Sequence, residues 1–262
     1  EEAFSGCDYL TDITLGENVK TLGDKAFYTC DALECVEIPS TVTDIGEKTF
    51  YSCPALKEAI IRAGTVKAGT FYNCRAVTTL IISDNAMLDA SFTAANTYAK
   101  EKLETVRIGK GEIGNSAFSN CTNLTTVELG NDVTSIGKSA FLKCTQLPSI
   151  TIGDGVISIG SGAFNGCTAL TNANIGSGAI GANAFQDCSR LANVTLGDGV
   201  TSIGANAFLR CTELTSMNIG SSVRTIENYA FSGCKALEEV TISAAQIGNQ
   251  AFRSASALKK VT

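Results

Sequence analysis

Apolar and polar positions recur along this chain in a fixed order, most often every 23 residues and in places every 21. Short stretches alternate apolar and polar, as in Val127/Leu129, Ile150/Ile152 and Val194/Leu196, which is how a strand with one buried face reads. A glycine usually ends the stretch, with Pro39 in its place in one unit. A second apolar position follows, and then an Ile-Gly pair such as Ile136-Gly137 or Ile203-Gly204. Phenylalanine keeps the same beat. All twelve stand at one column: Phe4, Phe27, Phe50, Phe71, Phe92, Phe118, Phe141, Phe164, Phe185, Phe208, Phe231 and Phe252, in steps of 23 or 21 with one of 26. Cysteine stands three residues after ten of them, with Ala95 and Ala255 in the other two units, and leucine usually stands six residues after.

The unit reads I-G-x-x-A-F-x-x-C-x-x-L-x-x-V-x-L-G-x-x-V-x-x, and self-similarity at such a period is the mark of a solenoid. One unit cannot bury its own apolar residues, so successive units stack and share a continuous core. The expected architecture is an α/β solenoid of about twelve rungs over residues 1–262, a single domain. L-x-x-V-x-L supplies a parallel sheet on one face. The x-x-A-F-x-x-C segment has room for one or two helical turns, and V-x-x-I-G for a second short extended piece opposite the sheet. Phe27, Cys30, Phe141, Cys144, Phe208 and Cys211 exemplify internal ladders. The spacing departs from the rule between about residues 60 and 114, where extra residues fill Thr93 to Lys102 and a local distortion is expected. The chain opens in mid-unit and closes in mid-strand without the polar caps a solenoid end needs, so a piece of a longer protein is expected.

These columns resemble the BspA-like leucine-rich repeat family; the run from Ile38-Pro39-Ser40 through Ile45-Gly46, Phe50 and Cys53 to Leu56 looks like that family's unit. The resemblance covers nearly the whole chain. It implies a right-handed leucine-rich repeat superhelix and a secreted or surface-attached protein of bacteria or parasitic protists, several of which are adhesins for host matrix proteins. It implies no catalytic residues, and the motif does not fix where a ligand binds.

Composition narrows the chemistry. The net charge is −6 and no basic stripe is visible, which argues against nucleic acid. No apolar run reaches the roughly 18–20 residues of a membrane span. Histidine is absent, which excludes Ser-His and Cys-His nucleophile pairs. The regular cysteine steps suit buried thiols acting as small hydrophobes. Rung-to-rung disulfides are the second reading of them. A metal site, which needs close pairs and often histidine, is the third; no cofactor is expected. Cys35 precedes an inward valine and should point outward, as a reactive thiol or an incidental one. Gly109-x-Gly111-x-x-Gly114 and Gly176-x-Gly178-x-x-Gly181 imitate a dinucleotide fingerprint but fall in repeat turns. Glu37 and Glu58, on neighbouring rungs, are the one carboxylate pair a glycosidase could use, on a face too wet for the raised pKa an acid needs. Asn120-Cys121-Thr122, Asn123-Leu124-Thr125 and Asn193-Val194-Thr195 match the glycosylation sequon.

Two surfaces remain as candidates for a partner. The sheet face presents Thr126, Glu128, Ser149, Thr151, Asn172, Asn174, Asn193, Thr195, Ser216 and Asn218, a docking face for a protein or a glycan, or plain solvation by good strand formers. Ile60 and Ile81 are outward apolar neighbours on the same face, a contact site or a packing surface for the irregular Phe92 segment. The second surface is a ladder of Tyr28, Tyr51 and Tyr72, ring-and-hydroxyl side chains of the kind enriched at interfaces. The expected function is non-catalytic display of an extended surface to a protein ligand, adhesin-like, from a secreted or cell-surface protein. A glycan-binding module and a passive spacer are the alternatives.

Overall fold

The computed structural model describes residues 1–83, 85–89, 92, 98–243 and 246–262. The chain winds as a parallel β-solenoid of about ten turns, with two ribbons of strands running along it. The first ribbon is built from the V-x-L segments, beginning with Cys35–Ile38, Glu58–Ile61 and Thr79–Ile82 and ending with Glu239–Ile242 and Lys260–Val261. The second is built from the residues before the Ile-Gly pair, as in Thr21–Leu22, Asp44–Ile45, Ser158–Ile159 and Thr225–Ile226. Along the first ribbon exposed and buried residues alternate, so every second side chain enters the core and the rest face water.

Four strands run unbroken through the corner between the ribbons: Thr105–Ile113, Thr126–Ile136, Asn172–Ile180 and Asn193–Ile203. Their pairing shows how units of unequal length stack. Ile175 pairs with Leu196, Ser177 with Gly199 and Ala179 with Ser202, so the offset grows by one residue at each of two irregularities. Ile108/Leu129, Lys110/Asp132 and Glu112/Ser135 repeat the device. Gly64, Gly111 and Gly178 turn the shortened corners with φ of 81°, 85° and 96°, a conformation that glycine adopts without steric penalty. The two apparent dinucleotide fingerprints are therefore corner glycines.

The helical turns expected around phenylalanine are not formed, and among the described residues the one helical element is a 3₁₀ turn at Tyr98–Glu101. The chain instead takes a left-handed residue two places before and two places after the phenylalanine: Lys25 and Thr29, Ser139 and Lys143, Asn206 and Arg210, all with φ between 54° and 61°. An α-helix cannot pass through such residues. The cause lies between rungs. Lys25, Phe27 and Thr29 donate their N–H groups to the carbonyls of Glu47, Thr49 and Tyr51 in the next unit, while Ala26 and Tyr28 close local turns on Gly23 and Lys25. A helix would spend all these donors within the unit, and the ladder spends alternate ones on its neighbour.

The rung count is also lower than expected. Ile13 and Leu15 of the first unit form no strand and are half-buried. The first ribbon is not continuous either. Its ladder runs from Cys35–Ile38 to the strand containing Leu129, resumes from Ser149–Ile152 to the strand containing Leu196, and resumes again from Ser216–Ile219 to Lys260–Val261. Val127, Leu129, Val194 and Leu196, on the near sides of the two interruptions, are half-buried while Ile150, Ile152, Met217 and Ile219 on the far sides are buried.

Inside, phenylalanine rings stack nearly parallel, as in Phe27 on Phe50 at 5.4 Å, Phe141 on Phe164 at 5.2 Å and Phe208 on Phe231 at 5.2 Å between centroids. Cysteine follows for a specific reason. Its thiol donates to the phenylalanine carbonyl of the preceding unit: Cys30 to Phe4 at 3.1 Å, Cys144 to Phe118 at 3.3 Å and Cys211 to Phe185 at 3.2 Å. The side chain thus fills apolar space and supplies a weak donor to a carbonyl that faces the core. Every cysteine is a free thiol, and no group of three or more metal-ligating residues occurs among the described residues. In the irregular stretch Phe92 is buried but tilts by 50° against Phe118; Ala95 and residues 93–97 lie outside the described residues.

Candidate functional site

The tyrosine ladder forms. Tyr28 and Tyr51 stack at 4.9 Å and Tyr51 and Tyr72 at 4.7 Å, with ring planes within 15°. They follow the buried phenylalanines on the outside of the left-handed turns. Lys25 lies 5.8 Å from the Tyr28 ring centre and Lys48 lies 5.9 Å from that of Tyr51, in cation–π range. Burial beside the neighbouring rings raises the Tyr51 hydroxyl above its usual pKa. Stacking changes what the ladder offers. Each ring covers its neighbour's face, so edges and hydroxyls rather than ring faces meet the solvent, and a sugar cannot lie on the faces inside the stack.

The strand face is two outward columns held in register by the first ribbon. Cys35, Glu58, Thr79, Thr105 and Thr126 align in one, and Glu37, Ile60, Ile81, Arg107 and Glu128 in the other. Further along, Ser149, Asn172 and Asn193 align beside Thr151, Asn174 and Thr195. Glu128, Thr151, Asn172, Asn174, Asn193, Thr195 and Asn218 are exposed, as their positions in the repeat require, whereas Thr126 is half-buried. Asn193 donates to the Asn172 amide oxygen at 2.9 Å. Cys35 is exposed.

Glu37 and Glu58 are on adjacent strands but not opposite one another: Glu58 aligns with Cys35, and Glu37 with Ile60. Glu37 is held by Arg62 at 2.7 Å. Ile60 and Ile81 are the aliphatic residues of the two outward columns among the described residues, and both are half-exposed. The column places them between two ion pairs, Glu37–Arg62 and Arg107–Glu128, each at 2.7 Å.

One feature was not foreseen from the sequence. The next outward position after Thr151, Asn174 and Thr195 is glycine, so a shallow groove runs across these rungs, lined by the glycines and by the backbone at Ile152 and Ile175. Its signal was present as the recurrent Gly after V-x-L at Gly153, Gly176 and Gly197.

The BspA type leucine rich repeat region, in 6 copies, matches residues 1–99, 93–179 and 178–262. The chain belongs to this family of repeat scaffolds. Among solved structures it is similar to a leucine-rich repeat protein from Bacteroides ovatus, with 26% identity over 99% of this chain and 80% of that one and a TM-score of 0.55. It is also similar to a leucine-rich repeat protein from Eubacterium ventriosum, at 20% identity over 95% and 84% with a TM-score of 0.52. A leucine rich cell surface protein from Faecalibacterium prausnitzii aligns at 24% identity over 95% and 85%, with a TM-score of 0.48. A comparison with curated proteins returns no match. Among the described residues no helix is long and apolar enough to cross a membrane.

Proposed function

We propose that this chain is a non-catalytic binding module, one leucine-rich repeat domain of a secreted or cell-surface protein, which presents its strand face to a protein ligand such as a host matrix or surface protein. The observation that carries this reading is the Ile60–Ile81 pair framed by two ion pairs on a face whose side chains stand in register. An apolar centre within a polar, charged rim is the anatomy of a protein contact, where a desolvated core supplies most of the energy and the rim excludes water. The pairing fixes the columns before a ligand arrives, which reduces the ordering cost of association. The edges and hydroxyls of Tyr28, Tyr51 and Tyr72 form a second contact surface, and the polar columns through Asn172, Asn193 and Asn218 extend the first.

Binding of the purified chain to immobilised matrix and serum proteins tests this, alongside an Ile60→Ser/Ile81→Ser variant and a Tyr28/Tyr51/Tyr72 triple-alanine variant. Saturable binding weakened about tenfold or more in the isoleucine variant is expected, since loss of a central apolar anchor removes at least ~1.4 kcal/mol. Weakening in the tyrosine variant alone moves the site to the outer ladder. Binding to none of the proteins sinks the reading in favour of a passive spacer.

A further inference from the structure

We propose that the middle of the strand face carries a second, separate binding site: a groove for a linear, uncharged polysaccharide of β-1,4-linked pyranoses. It does not rest on the protein-docking reading, whose apolar centre at Ile60 and Ile81 lies on other strands. Thr151, Asn174 and Thr195 align on three successive rungs of one uninterrupted ladder. Beyond them each rung carries glycine, at Gly153, Gly176 and Gly197, and the absent side chains open a groove of about 250 Å³ along the solenoid axis. Asn131 and Asp154 form the far wall.

A Cβ on Gly197 would lie 2.5 Å from the Gly176 carbonyl oxygen, so that position excludes a side chain, and the Asp154 carboxylate lies over Gly176. Thr151, Asn174 and Thr195 are exposed, and their side chains have no hydrogen-bond partner among the described residues, unlike Asn172 and Asn193, which bond each other.

The lining selects the ligand class. Hydroxyls and an amide can donate and accept at once, which is what sugar hydroxyls require. Asp154 is the one charged group of the lining, so a polyanion is repelled and a polycation finds a single partner. A peptide in an extended groove needs pockets for alternate side chains. This lining repeats from rung to rung and offers none. A repeating lining fits a repeating ligand, and a β-1,4-linked pyranose chain advances per residue by close to the ~4.8 Å rung spacing.

The test is native gel electrophoresis through gels containing hydroxyethylcellulose or glucomannan, with dextran and polygalacturonate as shape and charge controls. The variants are Asn174→Ala, Gly153→Leu and, on the phenylalanine side, Asn165→Ala; none alters charge, so mobility in a plain gel is unchanged. Gly153 tolerates a side chain, because its φ is ordinary and the nearest atom to a Cβ there is Asn131 Oδ1 at 3.7 Å. The original chain and Asn165→Ala are expected to be retarded by one or both β-1,4-linked polymers and not by the controls. Asn174→Ala should weaken retardation about fivefold, the equivalent of one hydrogen bond, and Gly153→Leu should abolish it at an unchanged urea midpoint. No retardation by either β-1,4-linked polymer overturns the proposal. So does equal retardation by the controls, or retardation that survives both Asn174→Ala and Gly153→Leu. None of these outcomes bears on binding to matrix proteins at Ile60 and Ile81.

Discussion

The rungs around Phe27 to Phe71 and those around Phe118 to Phe231 are the same inside and different outside. Phe27 meets Phe50 at 5.4 Å and 5° between planes, and Phe141 meets Phe164 at 5.2 Å and 6°. On the outside, the first region carries stacked tyrosines and rung-to-rung ion pairs, Lys57–Glu34 at 2.9 Å and Arg62–Glu37 at 2.7 Å. The second is mostly neutral, with the Asn193–Asn172 bond and one doubly bonded pair, Arg210–Asp187. An inward side chain is fitted on both sides by the identical residue of the next rung, so it cannot vary alone. An outward one answers to its own column and to solvent. Regional differences therefore collect on the surface, which is where a ligand would distinguish one part of the solenoid from another.

The sharpest way to break the comparison is through the core, where the regions should respond alike. Phe164→Ala removes a fully buried ring and is expected to destabilise by about 3–5 kcal/mol in urea unfolding, as is Phe50→Ala. Phe92→Ala should do less harm, since that ring already tilts out of the stack by 50°. Equal losses at all three positions would mean that the irregular rung is packed as tightly as the others.

Alkaline unfolding should also treat the regions together. Burial raises the thiols of Cys121 and Cys234 to about 12 and that of Cys30 to about 11. Unfolded thiols titrate near the ordinary value of ~8.5, so above that pH the unfolded state loses protons that the folded state keeps. Stability is then full below about pH 8.5 and falls as pH rises through the folded values. Each such thiol contributes a slope of up to ~1.4 kcal/mol per pH unit. Urea midpoints measured from pH 7 to 10.5 check the slope, and a flat profile would contradict burial of the thiols. Labelling with a thiol reagent at neutral pH should modify exposed Cys35 first and Cys7 more slowly, leaving the buried ladder until unfolding.

Surface changes come next, and there the regions should part. Tyr51→Ala opens a gap in a three-ring stack and should lower the urea midpoint by a small fraction of the Phe50→Ala effect. Leu142→Ala, at the same column in the second region, breaks no aromatic stack and should act through lost packing alone. The smallest effect is expected from Lys57→Ala, at most ~0.5 kcal/mol and erased by 0.5 M salt, because both partners of that pair are more than half exposed.

How much of this was legible in the residues depends on whether a feature belongs to one unit or to a pair of units. The inward columns, the alternating strands and the outward placement of Tyr51, Asn174 and Cys35 follow from the order of residues within a unit. The left-handed residues beside phenylalanine do not, because Lys25 and Thr29 owe their conformation to carbonyls of the next rung. For the same reason the x-x-A-F-x-x-C segment invited a helix that does not form. The groove was half-legible. The recurrent glycine was visible, but its reason at Gly197, the backbone of a neighbouring rung too close to admit a Cβ, was not.

The sequence by itself determined that this protein is a solenoid, which residues fill its core and which reach the surface, because these are properties of a local apolar pattern copied along the chain. Only the tertiary structure decided how units of 21 and 23 residues share one corner, where the first ribbon is interrupted, that the tyrosines hide their faces from solvent, and that a row of glycines becomes a groove. Each of those depends on the distance and hydrogen bonding between one rung and the next, which no single unit of the sequence contains.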